Sequence, residues 1–350
     1  MNIVQFFIYE GEIDVVLSLT IIFILVLLLP LTVKIVERNL EMFLFLIGLL
    51  AAFITGVLDK SLFIDAAFSP IPITIAVLVA GILFRWMYHP LRKSVHYISR
   101  IIPFQVFIAF VIILLGLISS VITAIIAALV LVFISSVLNL ERKAEIRLIV
   151  VACFAIGLGA ALTPIGEPLS TIAINKLNVD FFYFLQLIGK EVILAIIALG
   201  ILGAVLVKKP TIDPSLLNPS LTTKESYDDI FNRSFKIYFF VMGLTFLGAG
   251  FEPFIHQYVI HLNSTTLYWI NMISAILDNA TLTAAEISID MDPHTVRAII
   301  LGLIISGGML IPGNIPNIIA ASKRNITSKE WLQIGVPLGL LLMIVFSLFL

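Results

Sequence analysis

The chain has 350 residues, of which 60% are hydrophobic and only 12% charged, with a mean hydropathy of +1.13. A soluble exterior needs roughly a quarter of its residues charged, so the missing polar surface must be lipid, which excludes a cytosolic enzyme, a secreted domain and a nucleic-acid binder. The 21 basic and 22 acidic residues nearly cancel to a net charge of −1, and their meaning lies in where they fall along the chain.

The N-terminus carries Glu10, Glu12 and Asp14 where a signal peptide carries Lys or Arg, so the first apolar segment reads as a retained membrane helix. A bilayer core needs about 20 apolar residues per helix. Spans are expected at 15–36, 42–58, 71–87, 182–207, 237–255 and 331–350. Four other apolar segments are irregular. Segment 103–138 is too long for one span, and 267–289 is broken by Asp278 and Asn279. Segments 146–174 and 296–321 are each interrupted by proline and glycine, as Thr163-Pro164-Ile165-Gly166-Glu167-Pro168 and as Ile311-Pro312-Gly313-Asn314-Ile315-Pro316-Asn317. Unwound backbone is tolerated at membrane depth only where it lines a cavity or is buried in protein, so two such interruptions at matching places point to function rather than to simple kinks.

Other motifs are missing. The lone Cys153 permits no internal disulfide, the five histidines have no metal-ligand spacing, and Gly189-Lys190 lacks the upstream glycine of a phosphate-binding loop. No cofactor is expected, and uphill movement of a substrate would draw on an ion gradient.

Lys and Arg accumulate in cytoplasmic loops. If 103–138 and 267–289 are hairpins that enter and leave on one side, 17 of the 21 basic residues share a face, leaving Lys60, Lys176 and Arg297 opposite and Lys190 within a helix. Both termini are then external, in the plasma membrane of a prokaryote. The same order exposes a repeat of span, hairpin, broken helix and span. Residues 1–69 form two scaffold helices with a role in dimer contact, 70–207 the first repeat, 208–236 a polar cytoplasmic linker and 237–350 the second repeat. Ile118-Ser119-Ser120-Val121-Ile122-Thr123 aligns with Ile273-Ser274-Ala275-Ile276-Leu277-Asp278. Each copy crosses three times, so the copies are inverted, an all-α transporter architecture with its site near the midplane.

An ionised side chain at the bilayer centre costs about 2.5–3.5 kcal/mol on insertion scales, so intramembrane acids are functional candidates. Asp278 falls where the second hairpin turns, and Glu167 falls at the first break beside carbonyls of Thr163 and Ile165. Together with Asn279, Thr281, Thr163 and the backbone near Gly166, Gly313 and Asn314, they make an oxygen-rich site suited to Na⁺, Li⁺ or H⁺. Ser119, Ser120 and Thr123 of the first hairpin align with the Asp278 region, and read equally as ligands or as helix-packing hydrogen-bond donors. The competing account of Asp278 and Glu167 is capping of a helix N-terminus. Glu286 reads as a site residue or an interfacial carboxylate, and Lys190 and Glu191 as interfacial groups, Lys190 snorkelling to headgroups.

The set Thr163-Pro164-Ile165-Gly166-Glu167, Leu277-Asp278-Asn279 with Thr281 to Ala285, and Ser306-Gly307-Gly308 leading to Pro312-Gly313-Asn314 resembles the ion transporter superfamily, and within it the NhaD-type Na⁺/H⁺ antiporters. The chain departs from that pattern in carrying Glu167 where an Asp is expected. The resemblance implies an inverted-repeat fold with two re-entrant hairpins, a homodimer, and transport of small cations within membrane lipid. It also admits anion, carboxylate and arsenite carriers of the same superfamily, although Asp278 would repel a bound anion unless a cation or proton intervened. A membrane-embedded enzyme using Asp278 with Asp290 or Asp292 is the remoter alternative; those two acids flank Met291 ahead of Pro293, where a solvated turn is the simpler account.

Overall fold

The computed structural model describes residues 3–350 apart from 76, 80, 84, 87–101, 139, 209–225, 259–261 and 278, and leaves out the side chains of 3–13 and 256. Among the described residues the regular structure is helical, with no strand. Helices α1 (Ile3–Thr32), α2 (Lys34–Arg38), α3 (Leu40–Ile54) and α4 (Lys60–Phe68) come first. They are followed by α5 (Phe104–Ile122), α6 (Ala124–Leu138), α7 (Arg142–Ala160), α8 (Pro168–Leu177) and α9 (Tyr183–Leu206). The last group is α10 (Tyr227–Tyr258), α11 (Ser264–Ile270) with a 3₁₀ turn at Asn271–Ala275, α12 (Asn279–Glu286), α13 (Pro293–Gly307), α14 (Ile315–Arg324) and α15 (Ser328–Ser347). Six stretches are long and apolar enough to cross a membrane: Asp14–Thr32, Lys60–Leu83, Phe104–Ile122, Tyr183–Leu206, Tyr227–Ile255 and Ser328–Ser347.

The expected span at 42–58 is instead the shorter apolar helix Leu40–Ile54, and Phe104–Ile122, expected as one arm of a hairpin, is itself long and apolar enough to cross. Two boundaries also differ from the sequence expectation, both because of caps. The third span starts near Lys60 rather than at 71, since the Asp59 carboxylate accepts from Leu62 N at 2.7 Å and starts the helix there. The end of the polar linker is helical from Tyr227, because Ser226 Oγ accepts from Asp229 N at 3.1 Å while Asp229 Oδ2 accepts from Ser226 N at 3.3 Å, a reciprocal cap on α10. The expected interruptions fall where the motifs stand: α5 and α6 part at Thr123, α7 and α8 around Thr163–Glu167, α13 and α14 around Gly308–Asn314.

In lipid there is no hydrophobic drive between helices, so close approach of small residues holds them together. Leu44, Gly48, Ala51 and Ala52 bury one stripe of α3. That stripe meets Gly243 and Gly250 of α10. A Cβ on Gly243 would lie 2.5 Å from Phe45 N and 2.6 Å from the Leu44 carbonyl carbon, and one on Gly250 would lie 2.9 Å from Ala51 Cβ.

Helices α5 and α6 both pack along α7. Leu206 O at the end of α9 accepts from Arg147 Nη1 at 3.3 Å, and Gly203 of α9 lies against Ile108 and Ile112 near the start of α5. Near the end of α6, Ser135 Oγ donates to Glu145 Oε1 at 3.0 Å. Both the start of α5 and the end of α6 therefore lie beside the first turns of α7. The turn between them, Thr123, lies at the far end of α7 beside Gly166, whose carbonyl accepts from Ala124 N at 2.9 Å.

Ion pairs join segments that the charge pattern assigns to a common face. Arg142 reaches Glu330 at 2.7 Å and donates to the carbonyls of Arg324 (2.9 Å) and Asn325 (2.7 Å), while Arg324 pairs with the buried Glu145. Lys236 pairs with Glu41, and the Arg85 guanidinium stacks 4.2 Å from the Tyr227 ring centre. From the opposite set, Arg297 meets Glu191 at 3.3 Å, and Lys176 donates to the Ala284 carbonyl.

Because the groups facing Gly243 are backbone, Gly243→Ala forces α3 and α10 apart, and overpacking of this kind costs about 1–3 kcal/mol. Thermal unfolding of the detergent-solubilised variant is expected at a clearly lower temperature than wild type; an unchanged midpoint would contradict the close crossing.

Candidate functional site

Each broken helix restarts in the same way. Glu167 is the N-cap of α8 with φ −150° and ψ 146°, and Asn314 is the N-cap of α14 with φ −152° and ψ 144°. A proline follows within the first two helical positions of each, where no backbone N–H is needed. Each restarted helix closes on an asparagine in the left-handed region, Asn178 at φ 52° and Asn325 at φ 49°, a conformation asparagine tolerates better than most residues. The capping account of Glu167 is not what the geometry gives. Its side chain makes no capping hydrogen bond, although it is 96% buried (4% exposed) at the positive end of α8. Asn314 is 2% exposed, also makes no capping bond, and among the described residues neither its amide oxygen nor its nitrogen has a hydrogen-bond partner.

Each hairpin tip is stitched to a break. At the first, Thr163 Oγ1 donates to Ser120 O, and the Gly166 carbonyl takes Ala124 N. Thr123 has φ 75°, costly for a β-branched residue, while its hydroxyl faces Ile126 N at 3.4 Å. At the second, the Asn279 amide nitrogen donates toward Ser274 Oγ (3.1 Å), Leu303 O (3.2 Å) and Gly313 O (3.3 Å). Gly313 has no room for a Cβ, which would lie 2.6 Å from Gly307 O and 2.7 Å from Ser274 O. The arms correspond as well. Ser119 Oγ reaches Ile156 O of α7 at 2.9 Å, and Ser274 Oγ reaches Leu303 O of α13 at 3.0 Å. Where Gly159 lies against the Gly116 carbonyl and Ser119, Ser306 lies against the Asn271 carbonyl (2.6 Å) and Ser274 Oγ (2.6 Å).

The two halves touch across α7. A Cβ on Gly157 would lie 2.6 Å from Asn314 Nδ2, so the missing side chain makes space for the Asn314 amide. Cys153 Sγ, one turn earlier, is 3.7 Å from Pro316 O. Thr123, Ser119, Thr163 and Gly166 thus form one cluster, Asn279 and Gly313 a second, and Asn314 reaches from the second break to α7. Thr281 packs against Gly248 of α10, which has no Cβ to displace it. Asp278 lies outside the described residues.

Ser274, Ser306, Asn271 and Asn317 are buried polar groups not among the expected site residues, although all but Asn271 stand within the quoted motifs. Ser274 was legible through its alignment with Ser119, and Asn317 through the second proline-glycine motif, where its Nδ2 donates to Gly307 O and Leu310 O, both at 2.9 Å. Glu286 is 2% exposed, a core residue rather than an interfacial carboxylate. Lys190 is exposed and Glu191 is held by Arg297. Asp292 is an exposed N-cap of α13, accepting from His294 N at 2.9 Å and Thr295 N at 3.1 Å.

Helices long enough to span a bilayer, with polar groups buried at their interruptions, define a multi-pass all-α membrane protein. The chain belongs to the family described as "Protein of unknown function (DUF1646)", which matches residues 16–350. No curated protein matches it.

Hydrogen bonds from Thr295 and His294 hold the Asp292 carboxyl below the usual carboxylate range. A depressed pKa means the cap stabilises above the unfolded value and is lost as pH falls through the folded one. Acidification is therefore expected to loosen the start of α13 in wild type, read as lower amide-exchange protection, relative to the intrinsic rate at each pH, over 294–297. Asp292→Asn should remove that pH dependence while keeping a capping oxygen; the same acid response in the variant would contradict the assignment.

Proposed function

We propose that this protein is a secondary active transporter that exchanges Na⁺ or Li⁺ for H⁺ by alternating access, with inverted repeats, two re-entrant hairpins and the architecture of the ion transporter superfamily. The observation that carries the reading is Glu167: a carboxyl buried at a helix break, at an N-cap position, whose side chain does not cap. A buried acid must be neutralised by a proton, a cation or a fixed partner, and a group that alternates between the first two couples their fluxes. The repeat reading draws on the paired N-caps and the Ser119 and Ser274 bonds; the hairpin reading draws on the common end shared by the arms of the first hairpin.

Within this reading, hard oxygens around Glu167 complete the cation shell. Asn314 Oδ1 has no described partner, and the Gly166 carbonyl and Thr163 hydroxyl keep lone pairs after their bonds to the hairpin. Asp278 joins them on the strength of its place in the sequence. Ser119 and Thr281 are better suited to packing, since the first lies between the Gly116 and Ile156 carbonyls and the second fills the notch at Gly248. Proton and cation compete for the acids, and the neutralised site crosses between faces at lower cost than a charged one.

A second reading, an arsenite or carboxylate carrier, has one observation in its favour: the N-termini of α8 and α14 both open at the breaks, and such termini attract anions. Glu167 already occupies the first of them with negative charge, which favours the cation.

In proteoliposomes containing a pH-sensitive dye, addition of Na⁺ or Li⁺ is expected to release protons in wild type and to release none in Glu167→Gln or Asp278→Asn of unchanged melting temperature. Wild type that releases no protons with either cation, but moves arsenite or a carboxylate, would establish the second reading instead.

A further inference from the structure

Glu286 closes α12 and Asn271 opens the 3₁₀ turn in the other arm of the same hairpin; they are 2% and 0% exposed. Asn271 Nδ2 donates to Glu286 Oε2 at 2.9 Å. The remaining two polar atoms of the pair, Glu286 Oε1 and Asn271 Oδ1, are both buried, both oxygens, and both without a partner among the described residues. Two orphaned acceptors on groups already joined by one hydrogen bond are an expensive arrangement, since each unsatisfied buried polar group costs about 1–3 kcal/mol and an ionised one more. A single proton removes the cost. Protonated at Oε1, the carboxyl becomes a donor, and an acid facing a primary amide makes two hydrogen bonds of opposite sense: Nδ2–H to Oε2, and Oε1–H to Oδ1.

The charged neighbours do not supply that proton's function. From α8, the Lys176 ammonium is exposed and donates to the Ala284 carbonyl. From α13, Arg297 is directed to Glu191 and to Phe349 O. On α10, Glu252 is exposed; the His256 side chain and Asp278 lie outside the described residues. The segment Ser264–Ala275 carries no ionisable acid or base besides Tyr268, whose hydroxyl donates to Met343 O at 2.8 Å.

We propose that Glu286 and Asn271 form a proton-binding site separate from the cation site at the breaks, and that Glu286 relays the exchanged proton along the second hairpin. Glu286 ends the eight-residue α12 that Asn279 begins, which places it about 10 Å along the helix axis from the tip. Its use in exchange rests on the antiporter reading; proton binding by the pair does not.

The test separates the two. Infrared difference spectra of the purified protein, recorded between acid and alkaline buffer without Na⁺, report the carbonyl stretch of a protonated carboxyl. The expected result is a band present in wild type and Glu167→Gln, absent in Glu286→Gln and displaced in Asn271→Ser. Glu286→Gln is expected to fold, because its amide can make both hydrogen bonds with Asn271 at every pH, so its melting temperature should equal or exceed that of wild type. Asn271→Ser keeps the evidence independent of that variant. A band that persists in Glu286→Gln and is unmoved in Asn271→Ser overturns the proposal. So does a change at fixed alkaline pH on adding Na⁺ that requires Glu286, which would make the pair a cation site. A Glu286-dependent band in a protein that shows no Na⁺-driven proton release leaves the proton site standing and removes the antiporter.

Discussion

Backbone that leaves the helix inside a bilayer must find its hydrogen bonds within the protein, because lipid offers none. That constraint organises the molecule. The segments around Thr163–Glu167 and Gly308–Asn314 interrupt two helices, and Thr123 and the Asn279 region interrupt two hairpins. Each tip is used to satisfy a break: Ala124 N binds the Gly166 carbonyl, Thr163 binds the Ser120 carbonyl, and Asn279 reaches the Gly313 carbonyl. Moving either tip therefore exposes backbone at the neighbouring break, so tip and break form one mechanical unit.

The close contacts needed for this docking are made by the absence of side chains. Gly313 admits the Gly307 and Ser274 carbonyls, and Gly157 admits the Asn314 amide. The polar groups that remain are few and individually placed. Asn314 and Glu167 hold corresponding positions, both buried, both at N-caps, and neither caps its own helix. Glu145, the other buried acid of the first unit, is held by Arg324 and Ser135 and links the end of α6 to the end of α14. It stands as a structural ion pair, in contrast to Glu286, whose Oε1 has no hydrogen-bond partner among the described residues.

Much of this was legible in the amino-acid sequence because proline, glycine and charge are strong local signals. The Thr-Pro-Ile-Gly-Glu-Pro and Pro-Gly-Asn-Ile-Pro motifs mark the helix restarts to within a residue, and Asn279 marks the start of α12. What escaped was set by contacts between distant segments. Ser306 stands in a quoted motif, but its partners, the Asn271 carbonyl and Ser274, come from another segment and could not be read from it. Glu286 sits in the sequence near the expected mouth of a hairpin, where an exposed acid is unremarkable; only the packing of Asn271 against it makes it a core residue. The starts at Asp59 and Ser226 were missed for a different reason, since hydropathy follows the apolar run and ignores the caps that extend a helix beyond it.

The claim central to the proposed transporter is that the two hairpins enter from opposite faces of the membrane and meet at the breaks. Single cysteines at the hairpin mouths test it most directly, in a background with Cys153 replaced by serine. The informative positions are Gln105→Cys and Glu141→Cys for the first hairpin, and Thr265→Cys and Ser288→Cys for the second, all exposed. With a membrane-impermeant thiol reagent applied to one face at a time, 105 and 141 are predicted to react together from the cytoplasmic side, and 265 and 288 together from the other. Reaction of 105 and 141 from different faces, or of all four from the same face, would contradict the account.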